Sequence, residues 1–337
     1  MLRKALTTSL AAVVLTVLLV VIVVTMSTLS ANFLSVPNLL SALTLAAPLG
    51  IIAIGMTFVV LIGGIDLSVG AVLALSAVTV GLACSVGIPV GAAAVLGLIV
   101  GALCGLLNGV LVARLGLPSI VVTLATMSVY GGLALAFSGG SSYPIPSEFA
   151  FLGQGLVAGV PMPLVCLLML FAVAYVALTR TTYGDKMYAL GTNPTAMRFA
   201  AQKAGRLSLS AYVISGLLSA VAALIFCSMV SSAKANFGTG YELAAVTIVV
   251  VGGAALTGGK GTLWGTLLAT VVIAFLQNGF SIAFIASEVQ TMFIGGALIL
   301  TAATYRWLPR LVAARPAATT SAPPTSTHTT PTTESTQ

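Results

Sequence analysis

The sequence predicts an all-α fold, a polytopic transmembrane helical bundle of about ten spans with both termini cytoplasmic. Three observations carry this. The 337 residues are 59% hydrophobic and only 6% charged, where a soluble domain carries about 25% charged residues. Mean hydropathy is +1.16, and apolar runs of about 20 residues, enough to cross a bilayer, recur along the chain. The charges are also sided, as set out below. A β-barrel would instead show short alternating segments.

Taken in order, Arg3 and Lys4 precede an apolar run from Ala5 to Leu29. It exceeds the ~7 to 15 residues of a signal-peptide core, and more spans follow, so it reads as a first membrane helix. Length and breaks at Gly, Pro and charge place spans near 8–30, 40–62, 68–86, 90–113, 118–138, 162–179, 208–230, 242–257, 262–283 and 288–305. Asp66 and the Gly87–Pro89 turn are the clear breaks within 45–112. Residues 139–160 read as an external loop and 180–207 as the longest cytoplasmic one. The Thr, Ser and Pro-rich end, 314–337, lacks the apolar residues to fold and is expected to be disordered.

With the N-terminus inside, Arg3, Lys4, Arg114, Arg180, Lys186, Arg198, Lys203, Arg206, Lys260, Arg306, Arg310 and Arg315 are all cytoplasmic. Only Lys234 is external, and Glu148, Glu242 and Glu288 fall outside. Cytoplasmic loops concentrate Lys and Arg, so the net charge of +7 orients the chain and says little about nucleic acid. Cys84, Cys104, Cys166 and Cys227 lie in or beside apolar segments with no C-x-x-C spacing, and read as small buried residues. The single histidine, His328, is in the tail, so no metal site is expected.

Asp66 is the unusual residue. A carboxylate at the centre of a membrane helix costs about 2.5–3.5 kcal/mol on insertion scales. Gly63 and Gly64 precede it and weaken the helix. It could cap the next helix through Asp66-Leu67-Ser68 in a tight cytoplasmic turn. It could instead mark a broken helix that meets a transport path or an ATPase, or serve a proton relay. An intramembrane aspartyl protease is excluded, because Asp185 sits in a loop. A weak echo relates "GGIDLSVG" (63–70) to "GGAALTGG" (252–259), as a repeat or by chance. Asn108, Gln277, Asn278, Thr123 and Thr126 are polar groups inside spans that either line a path or bond across helices.

In "YGDKMYALGTNPTAMRFAAQKAGRL" (183–207), Asn193 can cap a short helix with Pro194 at its first position. That helix would run through Arg198 to about Ala204 and end at Gly205. It suits docking into a partner's groove, or else forms a basic loop on the membrane surface. A P-loop needs G-x-x-x-x-G-K-[ST]. Here Gly259-Lys260 is followed by Gly261, and Ala254 stands where the upstream Gly belongs, so this chain is not expected to bind ATP.

The sequence resembles the permease subunits of ribose/xylose/galactose-type ABC importers, the ribose permease-like branch. The matching stretches are "GMTFVVLIGGIDLSVGAVLALSA" (55–77), "GLLNGVLVARLGLPSIVVTLATMSVY" (105–130), "YALGTNPTAMRFAA" (188–201), "AYVISGLLSAVAAL" (211–224), "GTGYELAAVTIVVVGGAALTGGKGTLWGT" (238–266) and "FLQNGFSIAFIASEVQTMFIGGALIL" (275–300). The resemblance implies a permease domain over 36–306, after an N-terminal helix and linker (1–35) and before a basic, then Thr/Ser/Pro-rich, cytoplasmic tail (307–337). It implies an ABC ATPase subunit, a periplasmic or lipid-anchored solute-binding protein and a second permease copy as partners. It implies the bacterial plasma (inner) membrane as the location. Tyr188, Ala189, Gly191, Asn193, Ala196 and Arg198 look like the ATPase-coupling segment. Gly63, Gly64, Asp66, Leu67, Ser68 and Gly70 belong to the family fingerprint, and Asn108, Glu242 and Asn278 are possible pathway residues.

The chain departs from the family pattern at Gly131, at Asp185, at "AQKAG" (201–205) and at "VSSAKANF" (230–237), where the family often has arginine or other elements. The expected function is import of a monosaccharide or related polar small molecule by alternating access. No cofactor is expected in this chain, since ATP and Mg belong to the partner. The alternative is an ion-coupled secondary transporter using Asp66 and Glu242. No catalytic constellation for a membrane enzyme is found.

Overall fold

The computed structural model describes residues 2–30, 32–200, 203–286, 288–293 and 295–299. The tail expected over 307–337 lies outside the described residues.

Long helices dominate: α1 (Leu2–Leu29), α2 (Val36–Leu61), α3 (Val69–Ser85), α4 (Val90–Ala113), α5 (Ser119–Ser138) and, after a short helix α6 (Ala150–Gln154), α7 (Met162–Thr179). Two short helices, α8 (Thr182–Thr192) and α9 (Pro194–Phe199), lead into α10 (Ala204–Val230), α11 (Tyr241–Val251) and α12 (Leu263–Ile282). A further apolar helix covers Glu288–Ile299. Among the described residues, six helices are long and apolar enough to cross a membrane: α2, α4, α5, α7, α10 and α12. Prolines sit at several starts, at Pro37 in the first turn of α2 and Pro163 in that of α7, where no intrahelical N–H is lost.

Helix α2 is the hub. It is buried without interruption from Ala46 to Leu61, which fits a helix that is apolar all round. It packs against α7, α10, α11 and α12, and its Thr57 hydroxyl pairs with that of Thr266 at 2.9 Å. Helices α4 and α5 are mostly exposed instead, presenting Val95, Ile99, Leu103, Ile120, Val121 and Leu124. In a membrane protein such a face suits lipid. Helices α4 and α10 cross most closely. A Cβ on Gly105 would meet the Tyr212 carbonyl, and one on Gly216 the Gly101 carbonyl. Small residues let the backbones approach in this way.

The structure corrects three expectations. The span drawn over 242–257 is only Tyr241–Val251, because Gly253, at φ +94°, turns the chain out of the helix. The helix expected from Asn193 to Ala204 ends at Phe199. Its cap is as expected, since the Ala196 N–H donates to Asn193 Oδ1 at 2.9 Å. Gly205 does not stop it but lies in the first turn of α10, and α8 ahead of Asn193 was not anticipated. The fold is also not purely helical. Tyr143–Pro144 pairs antiparallel with Ser232–Ala233, and Leu156–Val157 with Val160–Pro161. These two-residue ladders are too short to carry a sequence period.

Candidate functional site

The site is built on the break between α2 and α3. The Gly63 N–H donates to the Val60 carbonyl and the Gly64 N–H to that of Val59, both at 2.9 Å. With Gly63 at φ +81°, this is a Schellman end. The chain is then non-helical up to α3, and non-helical backbone inside a bilayer needs partners from the protein. Helix α5 supplies them. The Ile65 N–H donates to Ser119 Oγ at 3.3 Å, and the Thr123 hydroxyl donates to the Ile65 carbonyl at 3.1 Å. Gly64 is required here because a Cβ would lie 2.5 Å from the hydroxyl oxygen of the fully buried Tyr212.

Asp66 is 1% exposed. Its Oδ1 accepts the Ser68 hydroxyl at 2.7 Å and the Ser68 N–H at 3.1 Å, and its Oδ2 accepts the Ser215 hydroxyl at 2.8 Å. The bonds continue outward. Asn108 Nδ2 donates to Ser68 Oγ at 2.8 Å, and the Tyr130 hydroxyl donates to Asn108 Oδ1 at 3.3 Å and the Cys104 carbonyl at 3.1 Å. Three helices, α4, α5 and α10, and the loop before α3 thus meet in a single buried polar cluster. Hydroxyl and amide donors compensate the carboxylate's desolvation, and no basic side chain takes part in these bonds.

The capping reading of Asp66-Leu67-Ser68 has a counterpart, since Asp66 Oδ1 accepts the Ser68 N–H in an Asx turn just ahead of α3. The carboxylate also reaches beyond that turn, directly to Ser215 of α10 and through Ser68 to Asn108. Asn108 lies five residues inside the end of α4, roughly 8 Å of helix rise. Glu242 needs a correction. It was expected on the outer side, yet a Cβ on Gly70 would lie 2.6 Å from Glu242 Oε2. The segment after Ala233 starts beside Gly81 and reaches Gly70, descending roughly 16 Å of helix rise along α3. Helices α3 and α11 so begin at the same level, where Glu242 Oε1 accepts the Gly240 N–H at 3.2 Å.

The remaining candidates divide. Leu67 is half-buried beside the cluster. Asn278 is not brought to it. It pairs reciprocally with Asn38, at 2.9 and 3.1 Å, between α12 and α2. In the segment expected to couple to an ATPase, Ala189, Asn193 and Ala196 are exposed and, with Asp185, line an open groove of about 620 Å³ between α8 and α9. Arg198 is in α9. Tyr188 also lines this groove, while Gly191 packs against Leu61 and Gly259. The Tyr188 hydroxyl donates to the Gly261 carbonyl at 3.0 Å, and burial pushes its pKa up, keeping the phenol in its donor form. A Cβ on Gly191 would strike the Leu61 carbonyl and the Gly259 N–H, which are hydrogen-bonded to one another at 2.8 Å.

Ser215, Tyr130, Tyr212 and Ser119 are the residues that sequence reasoning missed. Serines and tyrosines are scattered through these spans, and no spacing marks the ones that converge. The echo between the two Gly-Gly loops has a structural counterpart, shifted by one residue. Gly253 N–H donates to Val250 and Ala254 N–H to Val249, at 3.0 and 3.1 Å. Gly253, not Gly252, is therefore the equivalent of Gly63.

A family described as "Branched-chain amino acid transport system / permease component" matches residues 38–302. The chain belongs to this permease family. The ribose import permease protein RbsC of Haemophilus influenzae is 38% identical over 285 residues, covering 82% of this chain and 87% of that protein. The RbsC of Bacillus subtilis is also 38% identical, with the same coverage. The autoinducer 2 import system permease protein LsrD of Photorhabdus laumondii is 35% identical over 262 residues, 75% of this chain and 78% of that one. No solved structure matches the chain. The family is the one that the six sequence stretches indicated, and the matched region contains both the Asp66 cluster and residues 188–198 of the permease.

Proposed function

We propose that this permease is the membrane subunit of an ATP-driven ABC importer of the bacterial plasma membrane, translocating a monosaccharide or related hydroxylated small molecule. The observation that carries this reading is the similarity to ribose and autoinducer 2 import permeases over three quarters or more of the chain. The bundle geometry agrees with it. A groove at α8 and α9 is available for an ATPase subunit, and a solute-binding protein would deliver cargo on the opposite face. A second permease copy would complete the pathway, and access would alternate as the ATPase opens and closes. Ten spans with both termini inside fit the lysine and arginine distribution.

The test is affinity purification of the tagged protein from native membranes in mild detergent, with mass spectrometry and an ATPase assay, followed by uptake of labelled pentoses and hexoses. A co-purifying ABC ATPase, lost on changing Ala189 or Asn193, supports the reading. No ATPase, under conditions that keep a control importer whole, sinks it. Uptake that ignores ATP supply and is abolished by Asp66→Asn would point to ion coupling instead.

A further inference from the structure

The chain between α10 and α11 turns back into the bundle. Its first residues are pinned where Ser232–Ala233 pairs with Tyr143–Pro144. From there it runs without helix to Gly240, and a Cβ on Gly70 would strike the Gly238 carbonyl oxygen. Gly70 is 15 residues before the end of α3, roughly 22 Å of helix rise, where the apolar core of a bilayer is about 30 Å thick. The segment therefore ends deep within the membrane. Two of its rings are turned toward α10, where Phe226 meets Phe237 and Tyr241 edge-on, at 4.8 and 6.2 Å between centroids. Its polar side chains stay open. Asn236 and Thr239 are exposed, and Glu242 is half-buried. The Thr239 hydroxyl donates to the Asn236 carbonyl at 2.9 Å, leaving its oxygen able to accept. Among the described residues, the Asn236 side-chain amide and Glu242 Oε2 make no hydrogen bond.

We propose that this segment lines the aqueous route and that Asn236, Thr239 and Glu242 contact the transported solute. This rests on the reading of the chain as a sugar permease and names the residues that sort its cargo. The physical reason is depth. Non-helical backbone within the hydrocarbon region is either buried in protein or lines a water-filled cavity, and ionisable side chains there face the bundle interior or water. An open side carrying an amide, a hydroxyl and a carboxylate is thus no lipid face, unlike that of α4 with Val95, Ile99 and Leu103. Asp66, by contrast, is 1% exposed and bonded on both oxygens, and offers a solute nothing. The chemistry of the open groups selects the cargo. A carboxylate accepts from hydroxyls, an amide both donates and accepts, and the threonine oxygen accepts. That set pairs with the hydroxyl groups of a neutral polyhydroxylated molecule, and the carboxylate disfavours an anion.

The experiment has two arms. In the first, the full-length protein is purified with the subunits that accompany it and placed in lipid nanodiscs, with Cys84 replaced by serine. Asn236→Cys, Thr239→Cys and Leu103→Cys are each reacted with a charged methanethiosulfonate. The thiolate is the reacting form and needs water, so the first two should label about tenfold faster than Leu103→Cys, or more. Rates equal to that of Leu103→Cys overturn the proposal. In the second, maximal uptake of labelled D-ribose, D-xylose and D-galactose is measured in cells carrying the whole importer, at equal permease abundance. Glu242→Gln keeps the size of the side chain and should lower uptake about tenfold, the loss of one hydrogen bond to a charged group. Thr239→Val keeps the shape and should shift the ratio of uptake rates between the sugars, about threefold or more. Wild-type uptake in the first and a wild-type ratio in the second overturn the solute contacts, even where the cysteines label. If Glu242→Gln fails to accumulate, Thr239→Val decides alone. Wild-type import of none of these sugars sinks the sugar-permease reading and the solute contacts with it, whereas the labelling result stands apart from that failure.

Discussion

Ser215, within α10, donates its hydroxyl to Asp66 Oδ2 at 2.8 Å, across 149 residues of sequence. It is the only hydrogen bond to that oxygen among the described residues. Ser215→Ala should therefore leave a buried carboxylate oxygen unsatisfied, which costs about 1–3 kcal/mol and more where the group is charged. Thermal unfolding in detergent should show a clear loss for Ser215→Ala. Ser128→Ala, at an exposed helix position, should stay within about 0.5 kcal/mol of wild type. Equal melting curves for the two variants would mean that the cluster is not a stabilising unit.

The Asn38–Asn278 pair gives a cleaner energetic test, because each amide both donates and accepts. Each alanine variant alone strands its partner. The double variant strands neither, apart from the Asn38 bond to the Phe33 carbonyl. A double-mutant cycle should give a favourable coupling of about 0.6 kcal/mol, the membrane-protein average, with about 1.7 as its upper range. Additivity of the two single effects would show that the pair is not formed.

The crossing of α4 and α10 predicts opposite outcomes for equivalent glycines. Gly105→Ala and Gly216→Ala would press a methyl group into the backbone of the facing helix, and should sharply reduce the amount of folded protein. Gly91→Ala and Gly131→Ala meet nothing within 4 Å, and should be neutral or gain up to about 1 kcal/mol from helix propensity. The readout is the fluorescence-detected elution profile of a tagged variant. A monodisperse Gly105→Ala peak of wild-type height would contradict the packing.

Orientation is checked by labelling. A cysteine replacing the exposed Lys234 should react with a membrane-impermeant thiol reagent on intact cells, and one replacing the exposed Lys186 only after permeabilisation. Cys104, Cys166 and Cys227 are buried, and the half-buried Cys84 is first replaced by serine to keep the native background low. The reverse pattern would invert the topology.

Much of the bundle was legible in the sequence. The six long apolar helices follow from apolar length, the cap of α9 from Asn193-Pro194, and the α2 break from Gly63-Gly64 followed by a carboxylate. Asn108 was recognisable as a polar group inside a span. Its companions on α5 and α10 were not, since Ser215 and Tyr130 look like any other hydroxyls in an apolar run. Glu242 was misplaced because hydropathy cannot tell a loop that stays outside from one that descends beside α3.

The sequence alone determined the class of molecule and its break points, because apolar run length, glycine pairs and proline positions act locally on the backbone. Only the tertiary structure decided where those breaks meet. Asp66 is satisfied by residues 2 and 149 positions away, and Gly191 rests on Leu61 and Gly259. Such contacts depend on how helices pack, and packing is set by the fit of whole faces that no single stretch of chain encodes.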